Sequence, residues 1–170
     1  ARLRAVALPR MAELTEAVEE TSNLTVLSGR LVRFLASVEC HQLLRVGTRE
    51  GMAFPAHLTS GGLAMLAALP REDVEARYAE AGGEPDQSPS LPALRRQLAV
   101  VRDRWFALND GRTERGIVAL GRALRDIDGG VAAVSVSMPS SRFSRDRLAG
   151  LAREVARTVS AIESDLRGTA

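Results

Sequence analysis

Leu8, Met11, Leu14 and Val18 recur at intervals of three and four residues, the period of one helical face, and predict a helix over 9–21. Pro9 suits the first turn of that helix, where a missing N–H does no harm. Residues 1–8 then read as the end of a linker helix arriving from upstream. After Thr21 the period shortens. Leu24 and Val26 alternate with Asn23 and Thr25, Ser28-Gly29 interrupts, and Val32, Phe34, Ala36 and Val38 alternate again. Two period-two runs around a glycine turn predict a β-hairpin, with a third strand over 43–46.

The polar start Thr59-Ser60-Gly61-Gly62 before an Ala/Leu/Met run predicts a helix N-terminus at Thr59 or Ser60. Pro70 ends that helix and opens another, which passes Val74 and Tyr78 to Gly82-Gly83. The Pro/Gly-rich stretch 82–90 predicts a loop. Leu91, Leu94, Leu98, Val101 and Trp105 mark a further amphipathic helix. Strands are predicted over 116–124 and 131–137, joined by 126–130, with Pro139 stopping the last. A long final helix follows Ser144, its buried face marked by Leu148, Leu151, Val155, Val159, Ile162 and Leu166, and its end by Gly168. Strands at both ends with helices between and after them describe an α+β fold around one antiparallel sheet.

Charge changes the picture less than the isoelectric point suggests. The 23 basic and 21 acidic residues leave a net charge of +2. All the basic residues are arginine, whose high pKa lifts the isoelectric point at small net charge. They alternate with acids, as in Arg71-Glu72-Asp73, so this chain alone is not expected to capture DNA electrostatically. No apolar run approaches the roughly 20 residues that cross a bilayer, and no signal peptide is visible, so a soluble cytoplasmic protein with no membrane partner is expected.

Catalytic patterns are absent. The single cysteine, Cys40, excludes an internal disulfide and a cysteine-built metal site, and the two histidines, His41 and His57, are too few for zinc. There is no nucleophile elbow, phosphate loop or dinucleotide fingerprint, and no cofactor is implied. Glu19-Glu20 reads as solvated helix surface. One feature carries binding chemistry: the amides of Ser60, Gly61 and Gly62 at a helix start favour an anion. The glycines serve equally if they only let the helix pack closely on the sheet. Ser135 and Ser137 share one strand face, which could line a pocket or face solvent.

Several segments in order resemble the effector-binding domain of IclR-type bacterial transcription regulators. The 55–64 segment, Pro-Ala-His-Leu-Thr-Ser-Gly-Gly-Leu-Ala, resembles the family's helix start. Gly116 to Ala119 occupies the place of Gly-(Leu/Val)-Arg-Cys. The 135–144 segment, Ser-Val-Ser-Met-Pro-Ser-Ser-Arg-Phe-Ser, resembles Ser-(Ile/Val)-Ser-Gly-Pro-x-Ser-Arg-(Leu/Ile)-Thr. The resemblance covers nearly the whole chain. It implies a GAF-like fold, a pocket for a small and often carboxylate-bearing effector, and self-association as a dimer or dimer of dimers, with exposed apolar residues on the last helix suiting the contact. It also implies DNA binding through a winged helix-turn-helix upstream, for which there is no room before residue 9. Carried over, Ser60, Gly61 and Gly62 would receive the anionic end and Ser135 and Ser137 would bond the ligand. Leu44, Val46, Phe54 and Ile117 would form the apolar wall.

Four positions depart from the family pattern. Asn109 stands where members can carry an acid, Ala119 where many carry cysteine, Leu63 replaces a lysine and Met138 a glycine. The implied pocket is larger and less polar than one for glyoxylate-sized acids. Two other functions compete. A dimerisation module with a vestigial pocket fits the substituted polar positions. A thiol-dependent enzyme on a GAF-like fold would need reactive and resolving cysteines, and only Cys40 is present.

Overall fold

The structure is a computed structural model and describes residues 2–79, 89–125, 127 and 129–168. The predicted 82–90 loop, and the expected end of the preceding helix at Gly82-Gly83, therefore lie largely outside the described residues, as do residues 126 and 128 of the 126–130 connection. The elements run α1 (Arg2–Val18), β1 (Thr21–Ser28), β2 (Leu31–Val38), β3 (Ala53–Pro55), α2 (Ser60–Ala68), α3 (Arg71–Ala79), α4 (Leu91–Arg104), β4 (Ala107–Asp110), β5 (Ile117–Leu124), β6 (Ala132–Pro139) and α5 (Arg145–Gly168), with single 3-10 turns at Ala56–Leu58 and Ser140–Arg142. The strands form one sheet in the order β3-β2-β1-β6-β5-β4. Every neighbouring pair is antiparallel.

The two faces of this sheet differ in chemistry. Leu24, Ala36, Val118, Leu120, Val134, Val136 and Met138 point to one side and bury Met11 and Leu14 of α1 with Leu151, Val155, Val159 and Ile162 of α5. Burying each large side chain there contributes about 1.5–3 kcal/mol. The opposite face carries Val32, Phe34 and Ala133 under α2 and α4, which bring Met65, Leu66, Leu94 and Leu98. Gly121 lets α2 approach, since a Cβ there would lie 2.9 Å from the Ser60 carbonyl carbon.

A β-bulge decides which polar residues share that second face. Leu24 pairs with Ala36 and Thr25 with Phe34, so Leu35 is unpaired. The extra residue flips the alternation of β2. Val32 and Phe34 face α2, while Ala36 turns to the opposite core. Ser37 consequently joins the polar side, where it bonds Asn23.

Four sequence expectations shift. α1 runs unbroken through Pro9 rather than starting there. Ala7 and Met11 are both fully buried against the sheet, and that packing offsets the roughly 3 kcal/mol an internal proline costs. The third strand is Ala53–Pro55, paired through Val32 and Phe54, whereas 43–46 forms no strand and Leu43 is wholly exposed. β4 was not expected; four residues are too few to show a period. Glu20 is buried rather than solvated. Arg142 Nη2 lies 2.7 Å and Arg147 Nη1 3.0 Å from its carboxylate.

Candidate functional site

Asn23, at the centre of the polar face, organises the site. Its side-chain nitrogen donates to the Ser137 hydroxyl at 3.0 Å and to the Ser135 hydroxyl at 3.4 Å. Its side-chain oxygen accepts from Ser37 Oγ at 2.8 Å, and Ser37 Oγ accepts from the Arg49 N–H at 3.2 Å. Because Asn23 donates to both β6 serines, their oxygens act as acceptors and their protons are left to donate elsewhere. Neither hydroxyl donates to a protein atom among the described residues. Both serines are buried, so the strand face does not front solvent.

The start of α2 stands over these serines. Thr59 caps it by accepting from the Gly62 N–H at 2.9 Å. The Ser60 and Gly61 amides donate to no protein atom among the described residues, and the helix dipole makes that end attractive to an anion. A small cavity of about 20 Å³ lies between the helix start and the sheet. Ser60, Gly61, Ala119, Ser135, Ser137 and Ile117 line it, joined by Thr25, Phe34, Arg49, Thr59 and Thr113. Beyond it opens a hollow of about 390 Å³ bounded by Leu44, Val46, Met52, Ile117 and Pro139. Arg49 and Ile117 border both.

The structure thus brings together the two β6 serines, Ser60, Gly61, Ala119 and Ile117. Leu44 and Val46 border the outer hollow. Three expected residues stand apart. Gly62 has its amide taken by the cap, and a Cβ there would fall 2.0 Å from the Ala56 carbonyl oxygen; its part is close packing. Asn109 donates to the Leu58 carbonyl at 2.6 Å and the Thr113 hydroxyl at 2.8 Å, and accepts from the Arg112 N–H. Its amide holds the β4–β5 connection to the turn before α2. Phe54 packs edge-on to Phe34 with ring centroids 5.7 Å apart and underlies the Arg49 guanidinium at 5.3 Å, so it supports the wall from behind.

Sequence reasoning missed Asn23, Thr25 and Thr113, and it missed Arg49. Arg49 is buried, and Nη2 lies 3.0 Å from Glu114 Oε1. No carboxylate lines the inner cavity. By contrast, the hollow of about 630 Å³ between α1 and residues 38–42 carries Glu16, Glu19 and Glu39 and would repel an anion.

An antiparallel sheet packed by α1 and α5 on one face, and on the other by α2 and α4 with a polar patch under the start of α2, makes this a GAF-like α+β domain. The chain belongs to the IclR family: the model for the bacterial transcriptional regulator IclR C-terminal domain matches residues 1–164. It is 31% identical over 142 residues to the probable transcriptional regulator SauR of Cupriavidus necator, covering 81% of this chain and 56% of that protein. It is 32% identical over 164 residues to an HTH-type transcriptional regulator of Mycobacterium tuberculosis, covering 95% of this chain and 62% of that one. The chain spans about three-fifths of the length of these curated relatives. Among solved structures it is similar to a transcriptional regulator from Rhodococcus sp. RHA1, with TM-score 0.89, 27% identity, and coverage of 100% of this chain and 71% of the other. It is also similar to an IclR homolog complexed with 4-hydroxybenzoate from Microbacterium hydrocarbonoxydans, with TM-score 0.82, 27% identity, and coverage of 98% and 69%. Each of these curated relatives is a transcriptional regulator, and none is named as an enzyme. Among the described residues no helix is long and apolar enough to cross a membrane.

Proposed function

We propose that this domain senses a small organic anion, a carboxylate of aromatic or branched aliphatic shape, and passes its occupancy to a DNA-binding winged helix-turn-helix elsewhere in the whole protein. The observation that carries this reading is the convergence of donors. Ser135 and Ser137 with their hydroxyls, Ser60 and Gly61 with their unpaired amides, and Arg49 with its guanidinium all line one cavity that no carboxylate lines. Such a set is complementary to a negative group and to little else. The inner cavity takes a head group, and a larger body must reach the outer hollow beside Val46 and Ile117. Ala119 adds room where a thiol would narrow it. The 4-hydroxybenzoate held by the Microbacterium homolog is of this chemical class.

A thermal-shift screen of the chain against benzoates, phenylacetates and branched aliphatic acids, each beside its amide, tests the reading. Acids should raise the melting temperature where their amides do not. Equal response to acids and amides would remove the anionic effector.

Self-association belongs to the same proposal, with a corrected surface. The apolar residues of α5 face the core, whereas Leu43, Leu44 and Met52 are exposed beside the outer hollow. Light scattering should find a dimer or larger species at tens of micromolar. Leu43→Asp should shift it toward monomer.

A further inference from the structure

The inner cavity and the outer hollow meet at one ion pair. Arg49 borders both, and Glu114 borders only the outer one. The two partners are unequally placed: the Arg49 side chain is 8% exposed and that of Glu114 is 51%. A buried cation facing a half-exposed, hydrated carboxylate is poorly compensated, because an exposed partner contributes little. The guanidinium offers five N–H donors in a planar fork suited to a bidentate carboxylate. The closest approach of Glu114 to it is Oε1 at 3.0 Å from Nη2, without hydrogen-bond geometry between the two side chains. The guanidinium also lies over the Phe54 ring, 5.3 Å from its centroid, a cation-π contact that helps hold it in place. The backbone N–H of Arg49 ties the same residue to Ser37, and through Asn23 to Ser135 and Ser137.

We infer that the Arg49–Glu114 ion pair is the gate of the effector site, with Arg49 the charged anchor of the anion and Glu114 the group that the anion displaces. Glu114 neutralises the cation when the site holds no effector. An entering carboxylate takes its place on the fork, Glu114 turns to water, and the cavity and hollow become one tract. Arg49 sets the requirement for charge, and Glu114 sets how tightly an acid must bind to open the tract. The inference rests on the effector reading above.

Calorimetric titration of the 170-residue chain with benzoate, 4-hydroxybenzoate, phenylacetate and 3-methylbutyrate, with benzamide as neutral control, tests it. Glu114→Gln removes the competitor at an exposed position and should tighten the acids about 5- to 10-fold while leaving benzamide unchanged. Arg49→Gln should weaken the acids at least about 10-fold. In the Arg49→Gln background, Glu114→Gln should bring no gain, which separates displacement from a general loss of negative charge. If Arg49→Gln does not fold, the gain in Glu114→Gln and its absence in Glu39→Gln, a carboxylate of the neighbouring loop, decide the matter. Acids that bind all variants alike, yet weaken in Ser137→Ala, overturn the gate and leave the effector site standing. Acids that bind nowhere, or that ignore Ser137→Ala, overturn both.

Discussion

The Asn23 side-chain amide donates to the Ser137 hydroxyl across the β1–β6 pair at 3.0 Å, which leaves the serine proton to point away from Asn23. Polarity is thereby imposed on the site from one residue. Ser135→Ala and Ser137→Ala should each weaken binding of a carboxylate by about 1.5–3 kcal/mol, the worth of a hydrogen bond to a charged group. Asn23→Asp reverses the polarity. The serines would then donate to residue 23, and a buried negative charge would face the cavity. Titration should show no binding by that variant, and retained affinity would mean that the serine protons do not point at the ligand.

The two cradle glycines should separate on substitution. A Cβ on Gly62 meets the Ala56 carbonyl oxygen at 2.0 Å, where only backbone movement can relieve it. Gly62→Ala should cost at least the roughly 1–3 kcal/mol of an overpacked core site. A Cβ on Gly61 meets Thr25 Oγ1 at 2.6 Å, and the loss of stability in Gly61→Ala should be largely restored by Thr25→Ala. Denaturant melts of the three variants check this. A bulkier Gly61→Val is a poor probe of binding, since Thr25 leaves it no room.

Glu20 joins three parts of the chain. It receives Arg142 beyond β6 and Arg147 of α5, and Arg147 Nη2 also donates to the Val18 carbonyl at the end of α1 at 3.1 Å. Glu20→Gln removes the buried counter-charge of two arginines that are themselves partly exposed, and should cost about 1.5–3 kcal/mol, the worth of a hydrogen bond to a charged group. A melting temperature close to that of the parent would show that the cluster is hydrated in solution.

His57 gives the fold a pH dependence with a definite sign. Burial holds its imidazole below the ordinary 6.5, and the cations of Arg112 and Arg30 push the same way. The unfolded chain then binds more protons than the folded one in the window between the lowered value and 6.5, so stability rises with pH there and is lost as pH falls. His57→Gln should flatten that part of the curve. An unchanged slope would place its origin elsewhere.

The long elements were legible because each repeats its period several times. The Leu91–Trp105 and Leu148–Leu166 stripes, the hairpin around Gly29 and the capped start of α2 all survive in the structure. The β6 serines were legible too, since alternation with buried valines puts both on one face. Three features were not. The bulge at Leu35 leaves the alternation of 32–38 looking intact while turning Ser37 and Ala36 over. Glu20 looks like its exposed neighbour Glu19 until two distant arginines reach it. Arg49 is one arginine among 23 basic residues, in a stretch with no period. Its burial depends on Phe54 and Glu114, partners that local sequence cannot supply.

The central claim is that an anion sits against the start of α2 and the β6 serines. Amide proton chemical shifts of the isotopically labelled chain, followed while the best acid from the thermal-shift screen is titrated in, test it most directly. The Ser60 and Gly61 amides should move downfield furthest and saturate together, and Ser137→Ala should weaken the same titration. Shifts confined to the acidic hollow at Glu16, with Ser60 and Gly61 unmoved, would contradict it.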